Sequence, residues 1–266
     1  MSKVRVDVLL VERGLAETRA QAQALIMAGK VRLDGEVALK AGTAVDPEAR
    51  LELEHGPRFV SRGGEKLEAA LAAFAVDVKG LVCADVGAST GGFTDCLLQR
   101  GAAKVYAMDV GKGILHWKLR NDPRVVVMEQ VNARFLEQLP EAISLVTIDA
   151  SFISLRLLLP VVKAWLMPES GSILVLIKPQ FEAGRGDVRR GKGVIRDPQV
   201  HRQVLREVLT FAEARGLSVR GLKRSPLLGP KGNVEFLAWL VPVESTAPEL
   251  EALIEAACAA PAQSQK

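Results

Sequence analysis

A glycine-rich turn between a predicted strand and a predicted helix is the clearest chemical feature of this chain. It covers residues 85–93, with the sequence Asp-Val-Gly-Ala-Ser-Thr-Gly-Gly-Phe. Such a turn lets the backbone approach a ligand closely and points helix N–H groups toward it. A second apolar run, 104–108, ends in Asp109, where a dinucleotide fold places the carboxylate that binds ribose. Together these features predict a site for a ligand that carries a ribose.

The composition of the turn narrows the choice of ligand. It lacks the Gly-Lys-[Ser/Thr] ending that holds a triphosphate, and it differs from the G-x-G-x-x-G turn that holds a pyrophosphate. S-adenosylmethionine (SAM) carries a ribose and an adenine but no phosphate. The sequence therefore predicts SAM as the cofactor.

Four polar residues adjoin predicted strands in such a way that they meet at one edge of the sheet. Asp109, Asp149 and Lys178 end strands, and Glu235 begins a strand of opposite direction. In open parallel sheets, ligands bind at the carboxyl ends of the strands. Lys178 follows the apolar run 173–177, where desolvation favours the neutral amine, whereas a nearby carboxylate favours the ammonium. The alternative is a buried Lys–Asp ion pair that only joins two strands.

From residue 81 onward, strand-like and helix-like apolar patterns alternate, as in a parallel sheet covered on both faces. The predicted elements are strands near 81–86, 104–109, 124–128, 143–149, 172–177, 217–223 and 234–241, and helices near 65–74, 92–100, 153–166, 198–214 and 248–259. Because a short loop joins the last two strands, we expect them to form an antiparallel pair. This α/β order resembles the Rossmann-like sheet of class I SAM-dependent methyltransferases.

The first 56 residues form a small predicted α+β module. A helix over 6–12 precedes a capping box that begins at Thr18 and a hairpin signal at 34–35. This order resembles the S4 RNA-binding domain; a predicted linker, 57–64, and a catalytic domain, 65–266, follow it. The basic residues that the resemblance assigns to RNA are Arg5, Arg19, Lys30, Arg32 and Lys40. The alternative is a helical dimerisation module.

Composition and cysteine spacing indicate a globular protein with reduced cysteines. The 266 residues have the composition of a globular protein and a formal net charge of +4. The three cysteines stand far apart without metal-ligand spacing, which favours reduced thiols, no bound metal and a cytoplasmic location. Neither a signal peptide nor a spanning segment is evident, so we expect no membrane association. Trp117 and Trp165 lie in apolar stretches and are expected in the core.

The basic residues are unevenly distributed. Residues 1–60 hold nine Lys or Arg and nine Asp or Glu, and are neutral overall. By contrast, 185–196 holds five basic residues against one acid, and 215–231 holds five with none. These two segments suit RNA phosphates, although a solvated surface explains them equally well.

A set of motifs extending to about Val241 makes the chain similar to the TlyA family. The motifs lie at 85–93, 109–113, 119–125, 132–134, 149–155, 178–182 and 232–235. The resemblance implies a cytoplasmic ribosomal-RNA 2′-O-methyltransferase with an N-terminal S4 domain and an FtsJ-like catalytic domain; the family is often labelled haemolysin. One departure is Lys112, where the family commonly has Tyr, and this alters the expected wall of the cofactor pocket.

The family's Lys-Asp-Lys-Glu tetrad maps onto Lys66, Asp149, Lys178 and Glu235. Lys66 is identified by the resemblance alone, because a lysine near the start of a helix is usually just solvated. The resemblance implies that Lys178 contacts a ribose 2′-hydroxyl and assists its deprotonation. Asp149 would orient Lys178, and Lys66 and Glu235 would complete the hydrogen bonds that hold the ribose.

The expected cofactor site follows the same strand ends. The methionine end of SAM is placed along the glycine-rich turn, the ribose hydroxyls at Asp109, and the adenine edge at Asn132 and Ala133, which resemble the family's adenine position. The full expected set is Asp85, Gly87, Ser89, Thr90, Gly91, Gly92, Phe93, Asp109, Asn132 and Ala133.

The expected partner is ribosomal RNA, as free RNA or within ribosomal subunits, since DNA lacks the 2′-hydroxyl. The family suggests cytidines of the large and sometimes the small subunit. The sequence leaves open the nucleotide, the subunit and the oligomeric state. Three rival functions are a non-catalytic RNA- or ribosome-binding factor, a membrane-active haemolysin and a small-molecule methyltransferase.

Overall fold

The structure is a computed structural model that describes residues 3–54, 56–242 and 249–259. The chain divides into two compact units, Met1–Arg58 and Phe59–Lys266. The division lies within the segment 57–64 that the sequence predicts as a linker. Residue 248, with which the predicted C-terminal helix begins, lies outside the described residues.

The first unit is a small α+β body. Its elements are β1 (Val4–Arg5), α1 (Val6–Glu12), α2 (Arg19–Met27), β2 (Val31–Leu33), β3 (Glu36–Val37), β4 (Ala44–Val45) and β5 (Leu51–Leu53). Thr18 caps α2, because its hydroxyl accepts the backbone N–H of Gln21 at 3.2 Å. Asp34 and Gly35 turn the β2–β3 hairpin with φ of 50° and 90°, the conformation that an Asp-Gly pair favours.

Two small sheets and the two helices enclose the core of the first unit. β1 pairs with β4, and β2 lies between β3 and β5, all antiparallel. Leu10, Ile26 and Val31 are fully buried between these layers. Each such side chain contributes about 1.5–3 kcal/mol by leaving water, so the unit has an apolar core of its own.

The second unit is a larger α/β body. Its strands are β6 (Val82–Val86), β7 (Lys104–Asp109), β8 (Val125–Glu129), β9 (Leu145–Ile148), β10 (Ser172–Ile177), β11 (Ser218–Arg224) and β12 (Phe236–Val241). Its helices are α3 (Gly63–Ala73), α4 (Gly92–Gln99), α5 (Trp117–Arg120), a 3₁₀ turn (Ala133–Phe135), α6 (Leu155–Trp165), α7 (Pro179–Glu182), α8 (Arg185–Arg190), α9 (Pro198–Ala214) and α10 (Leu250–Ala259).

The seven strands form one sheet in the order β11-β12-β10-β9-β6-β7-β8. β12 runs antiparallel to both of its neighbours, and the other described pairs are parallel. The predicted α/β fold class and the antiparallel end of the sheet are confirmed. Three short helices, α5, α7 and α8, were not predicted, because four to six residues are too few for a helical apolar period to be recognised.

Helices cover both faces of the sheet. Alternate residues of β10 enter different cores: Ile173 and Val175 pack with α6, α9 and α10, whereas Leu174 and Leu176 pack with α3 and α4. Burial on both faces explains the continuous apolar run in this strand. Across the three described ranges, no helix combines the length and apolar character that crossing a membrane requires.

Candidate active site

The glycine-rich turn joins β6 to α4, and two of its glycines are required by the backbone. Gly87 has φ of +82°, and a Cβ there would lie 2.9 Å from the carbonyl oxygen of Asp149. Gly91 has φ of +97°, and a Cβ there would lie 2.1 Å from Cδ1 of Leu119. Any side chain at either position would be strained and would collide with its neighbours. The turn therefore runs directly against the segment that follows β9.

Asp109, the last residue of β7, is held by backbone N–H groups on both carboxylate oxygens. Ser89 donates to Oδ2 and Gly111 donates to Oδ1, each at 2.8 Å. These bonds orient the carboxylate beside the glycine-rich turn, and each oxygen keeps a lone pair for a further donor. A pair of ribose hydroxyls matches such an acceptor.

Two adjoining cavities open at the carboxyl edge of the sheet. The larger has a volume of about 630 Å³ and the smaller about 300 Å³, and they share Gly87, Ser89 and Asp149. The predicted cofactor residues that line the larger cavity are Gly87, Ser89, Asp109, Asn132 and Ala133. Those that line the smaller one are Gly87, Ser89, Thr90, Gly92 and Phe93.

The larger cavity suits a nucleoside-bearing cofactor. Its volume lies in the range of small-molecule sites. Apolar side chains, among them Met108, Val110 and Leu158, line it together with the Asp109 carboxylate. This mixture fits the adenine and ribose of SAM.

Two predicted cofactor residues, Asp85 and Gly91, line neither of these two cavities. Asp85 is fully buried and accepts the hydroxyls of Thr94 at 2.7 Å and Thr147 at 3.0 Å. Burial raises the pKa of its carboxyl group to about 6. Gly91 faces Leu119. Any effect of these two residues on a ligand passes through the shape of the turn.

The first ion pair of the predicted tetrad joins the ends of β9 and β10. Nζ of Lys178 lies 2.6 Å from Oδ1 of Asp149, with 11% and 23% of the two side chains exposed. The same amine donates to the carbonyl oxygen of Asp149 at 3.3 Å and to Oγ of Ser151 at 2.9 Å. Pro179 starts α7, so Lys178 stays extended with φ of −111° and ψ of 100°.

The second ion pair of the tetrad is the more deeply buried. Nζ of Lys66, on α3, lies 2.6 Å from Oε2 of Glu235, and the side chains are 7% and 0% exposed. Nε2 of Gln180 donates to the other carboxylate oxygen at 3.3 Å. Lys66 and Asp149 both line the smaller cavity. One member of each pair therefore faces the same space.

A carboxylate that sequence reasoning missed holds the segment after β9. Glu182 accepts the hydroxyl of Ser154 and the backbone N–H of Leu155, each at 2.7 Å. Burial raises the pKa of this carboxyl group above its usual value. The signal for its role is the helix start at Leu155, whose N–H groups need acceptors. Segments 149–155 and 178–182 are thus joined at two points.

Glu129, at the end of β8, was also missed. It accepts the backbone N–H groups of Ile114 and Leu115 at 3.2 and 3.4 Å and pairs with the guanidinium of Arg120. Backbone hydrogen bonds and this guanidinium lower the pKa of the Glu129 carboxyl group to about 2. The loop after Asp109 is therefore folded around a carboxylate.

In the first unit, two of the predicted RNA-contacting arginines surround one buried acid. Asp7 accepts Nε and Nη2 of Arg5 at 2.9 Å, Nη2 of Arg19 at 3.1 Å and Nε2 of Gln23 at 2.9 Å. The Asp7 side chain is fully buried, while those of Arg5 and Arg19 are 50% and 56% exposed. The Arg5 guanidinium, above all, holds the pKa of this carboxyl group well below its usual range.

The other predicted RNA-contacting residues do not join this cluster. Lys30 and Lys40 are exposed, and Arg32 pairs with Glu54. All are half-exposed or exposed, as a phosphate contact requires.

The aromatic side chains of Phe152 and Trp117 are strongly exposed to solvent. Phe152, with φ of +63°, is 91% exposed, lines the larger cavity and contacts the ring of Phe181 at 4.9 Å between centroids. Trp117 is 71% exposed. The prediction that Trp117 lies in the core is wrong, because its short helix α5 buries Leu119 instead; Trp165 is buried as predicted.

Comparisons with known proteins agree with this division of the chain. The family model of the FtsJ-like methyltransferases matches residues 59–241, and that of the S4 domain matches residues 4–51. Both domain resemblances drawn from the sequence are confirmed.

Individual relatives cover almost the whole chain. The 16S/23S rRNA (cytidine-2′-O)-methyltransferase TlyA of Mycobacterium tuberculosis is 51% identical over 244 residues, 90% of each chain. Hemolysin A of Brachyspira hyodysenteriae is 41% identical over 248 residues, 90% of this chain and 100% of that one. A solved structure from Streptococcus thermophilus that carries the name hemolysin is 45% identical, with a TM-score of 0.70 over 97% of this chain and 96% of that one. The chain therefore belongs to the TlyA family of FtsJ-like methyltransferases with an S4 domain.

Proposed function

We propose that this protein transfers the methyl group of SAM to the 2′-hydroxyl of a cytidine in ribosomal RNA. The observation that carries the proposal is that the Asp109 cavity adjoins the Lys178–Asp149 ion pair. Asp149 lines both cavities and lies 2.6 Å from Nζ of Lys178. Asp109 and the carboxylate that pairs with the amine of Lys178 thus line one space.

SAM supplies an electrophilic methyl carbon on a sulfonium. Asp109 would hold its ribose, Asn132 and Ala133 its adenine, and the turn from Gly87 to Phe93 its methionine end. Asp109 is pre-oriented for this task by two backbone N–H groups. Preorganised acceptors bind without the cost of reordering.

The weak acidity of a ribose hydroxyl sets the task of the tetrad. Lys178 contacts the 2′-hydroxyl and assists loss of its proton. Asp149 orients the amine, and the Lys66–Glu235 pair, fixed by Gln180, completes the wall against which the ribose lies. Alignment of the reacting atoms in this manner lowers the barrier chiefly by positioning.

The RNA is held by surfaces away from the reacting atoms. Arg5, Arg19, Lys30, Arg32 and Lys40 of the S4 domain contact phosphates and RNA shape. The exposed ring of Phe152 at the larger cavity is suited to stacking on a nucleobase. The basic segments 185–196 and 215–231 add phosphate contacts. The RNA partner is a ribosomal subunit, and the site of action is the cytoplasm.

The domain limits are part of the proposal. Residues 1–56 act as the RNA-docking domain, 65–266 as the catalytic domain, and 57–64 as the linker between them. Deleting residues 1–55 separates this function from that of a small-molecule methyltransferase, which would keep its activity.

The test is methyl transfer from labelled SAM to unmodified 30S and 50S subunits, with the product mapped for 2′-O-methylation. We expect label on a cytidine 2′-oxygen with the wild-type protein and none with Lys178→Ala. Absence of label on both subunits and on free rRNA, in a protein that binds SAM, would favour the non-catalytic binding factor. Label on a base atom would contradict the assignment of the 2′-hydroxyl.

A further inference from the structure

The amine of Lys178 has three N–H donors. It donates hydrogen bonds to the carbonyl oxygen of Asp149 at 3.3 Å and to Oγ of Ser151 at 2.9 Å, and it forms an ion pair with the Asp149 carboxylate at 2.6 Å. Among the described residues, Ser151 thus supplies the one hydrogen-bond acceptor of this amine that is independent of Asp149.

Ser151 is also the neighbour of Lys178 that reaches the solvent. It is exposed and lines the larger cavity, whereas only 11% of the Lys178 side chain is exposed. The Ser151 hydroxyl therefore links the amine to a residue of the cavity wall. Asp149, the other residue that holds the amine, lines the same cavity.

The backbone on both sides of Ser151 is held in place. Asp149 donates its N–H to the carbonyl oxygen of Val86 at 3.0 Å. Beyond Ser151, Ser154 and Leu155 donate to Glu182 at 2.7 Å. Because both ends are tied, the hydroxyl of Ser151 has a defined place relative to Lys178.

We propose that Ser151 is a positioning residue for Lys178, and that its hydroxyl fixes the direction from which the amine meets the incoming ribose. This inference rests on the proposed function, since it concerns the amine that contacts the 2′-hydroxyl. Without the hydroxyl, the amine keeps only its contacts with Asp149 and loses this fixed direction. A misplaced amine beside the reacting hydroxyl lowers turnover more than it lowers binding.

The test compares Ser151→Ala and Ser151→Thr in the full chain, with Ser170→Ala, an exposed serine after α6, as matched control. We expect Ser151→Ala to lower kcat about tenfold, the effect of one hydrogen bond to a charged group. Its KM for RNA and its Kd for SAM should stay within twofold of wild type. Ser151→Thr keeps the hydroxyl and should restore kcat to within threefold, and Ser170→Ala should equal wild type.

Three results would overturn the assignment: a kcat of Ser151→Ala within twofold of wild type, an equal loss of SAM affinity and kcat, or a folded Ser151→Thr no better than Ser151→Ala. These differ from failure of the proposed function itself, in which the wild-type protein would transfer no methyl group to any RNA. If the wild-type protein methylates RNA and Ser151→Ala has the same activity, only the positioning role of Ser151 is refuted.

Discussion

The two units each bury a carboxylate against basic side chains, but only the first unit leaves the basic side chains of this cluster exposed. In the first unit, Asp7 is fully buried while Arg5 and Arg19 are half exposed. In the second unit, Lys66 and Glu235 are both buried. The exposed arginines can bind a second anion from solution, whereas the buried Lys66 and Glu235 neutralise each other's charge.

Under the proposed function, this difference follows from the ligand that each cluster meets. A surface that holds phosphates needs cations with free donors, and a buried acid fixes their direction without covering them. A wall beside a reacting ribose needs fixed geometry with water excluded. Under the proposed function, the same ion-pair chemistry therefore serves recognition in one unit and rigidity in the other.

The largest effect on stability is expected from Lys66→Ala. Among the residues that the structure describes, it leaves the buried Glu235 carboxylate with only the Gln180 amide as a side-chain donor. Removing one partner of a buried ion pair costs about 3–5 kcal/mol of the free energy of unfolding. Urea unfolding followed by tryptophan fluorescence measures this, since all three tryptophans lie in the second unit.

The matched control for Lys66→Ala is Lys104→Ala, which breaks a pair with Glu141 whose side chains are 40% and 38% exposed. Exposed pairs contribute about 0–1 kcal/mol. Equal stability losses in the two variants would show that burial of the Lys66–Glu235 pair has no special consequence.

A smaller effect, a loss of about 2 kcal/mol of the free energy of unfolding, is expected from Asp7→Asn. This substitution removes the negative charge that pairs with Arg5 and Arg19. Because the pKa of Asp7 is lowered in the folded state, its stabilisation is present above the usual carboxyl pKa of about 4. It is lost as the pH falls through the folded-state pKa. Asp7→Asn should lack this dependence.

Hydrogen exchange of the amides in α1 and α2 at pH 6 measures the effect of Asp7→Asn within the full chain. Asp46→Asn, at an exposed acid of the same unit, is the control. Exchange in Asp7→Asn no faster than in Asp46→Asn would refute a stabilising role for the buried carboxylate.

The smallest effect is expected from Arg19→Ala in RNA binding. Loss of one phosphate contact should weaken binding several-fold and reduce the slope of log affinity against log salt by about 1. Arg50→Ala is the control, since Arg50 is 78% exposed in the same unit and outside the candidate set. A salt slope equal to that of Arg50→Ala would remove Arg19 from the RNA surface.

Much of the fold was predictable because its signals are local. The segments that became β6, β7 and β10 are mostly apolar, and the Asp34-Gly35 pair is typical of a hairpin turn. Asp149 and Lys178 were placed at one edge from topology alone, and the structure brings them within 2.6 Å.

What the sequence could not supply depends on contacts between distant residues. The role of Lys66 can be recognised only from its contact with Glu235, 169 residues later. No local sequence pattern predicts such a pair. Asp85 lies in the glycine-rich motif, yet Thr147 on another strand helps to hold it beneath the turn. Trp117 lies in an apolar stretch, but α5 is too short for its buried side to be recognised.

The most direct test of the central claim compares Lys178→Ala with Asp109→Ala in SAM binding by calorimetry and in single-turnover methylation of ribosomal subunits. We predict that Lys178→Ala keeps the Kd for SAM within a few fold of wild type while methyl transfer is lost. Asp109→Ala should raise that Kd at least tenfold, through the lost charged acceptor. Parallel losses of SAM affinity and turnover in Lys178→Ala would contradict the claim, because the Lys178–Asp149 pair would then only join two strands.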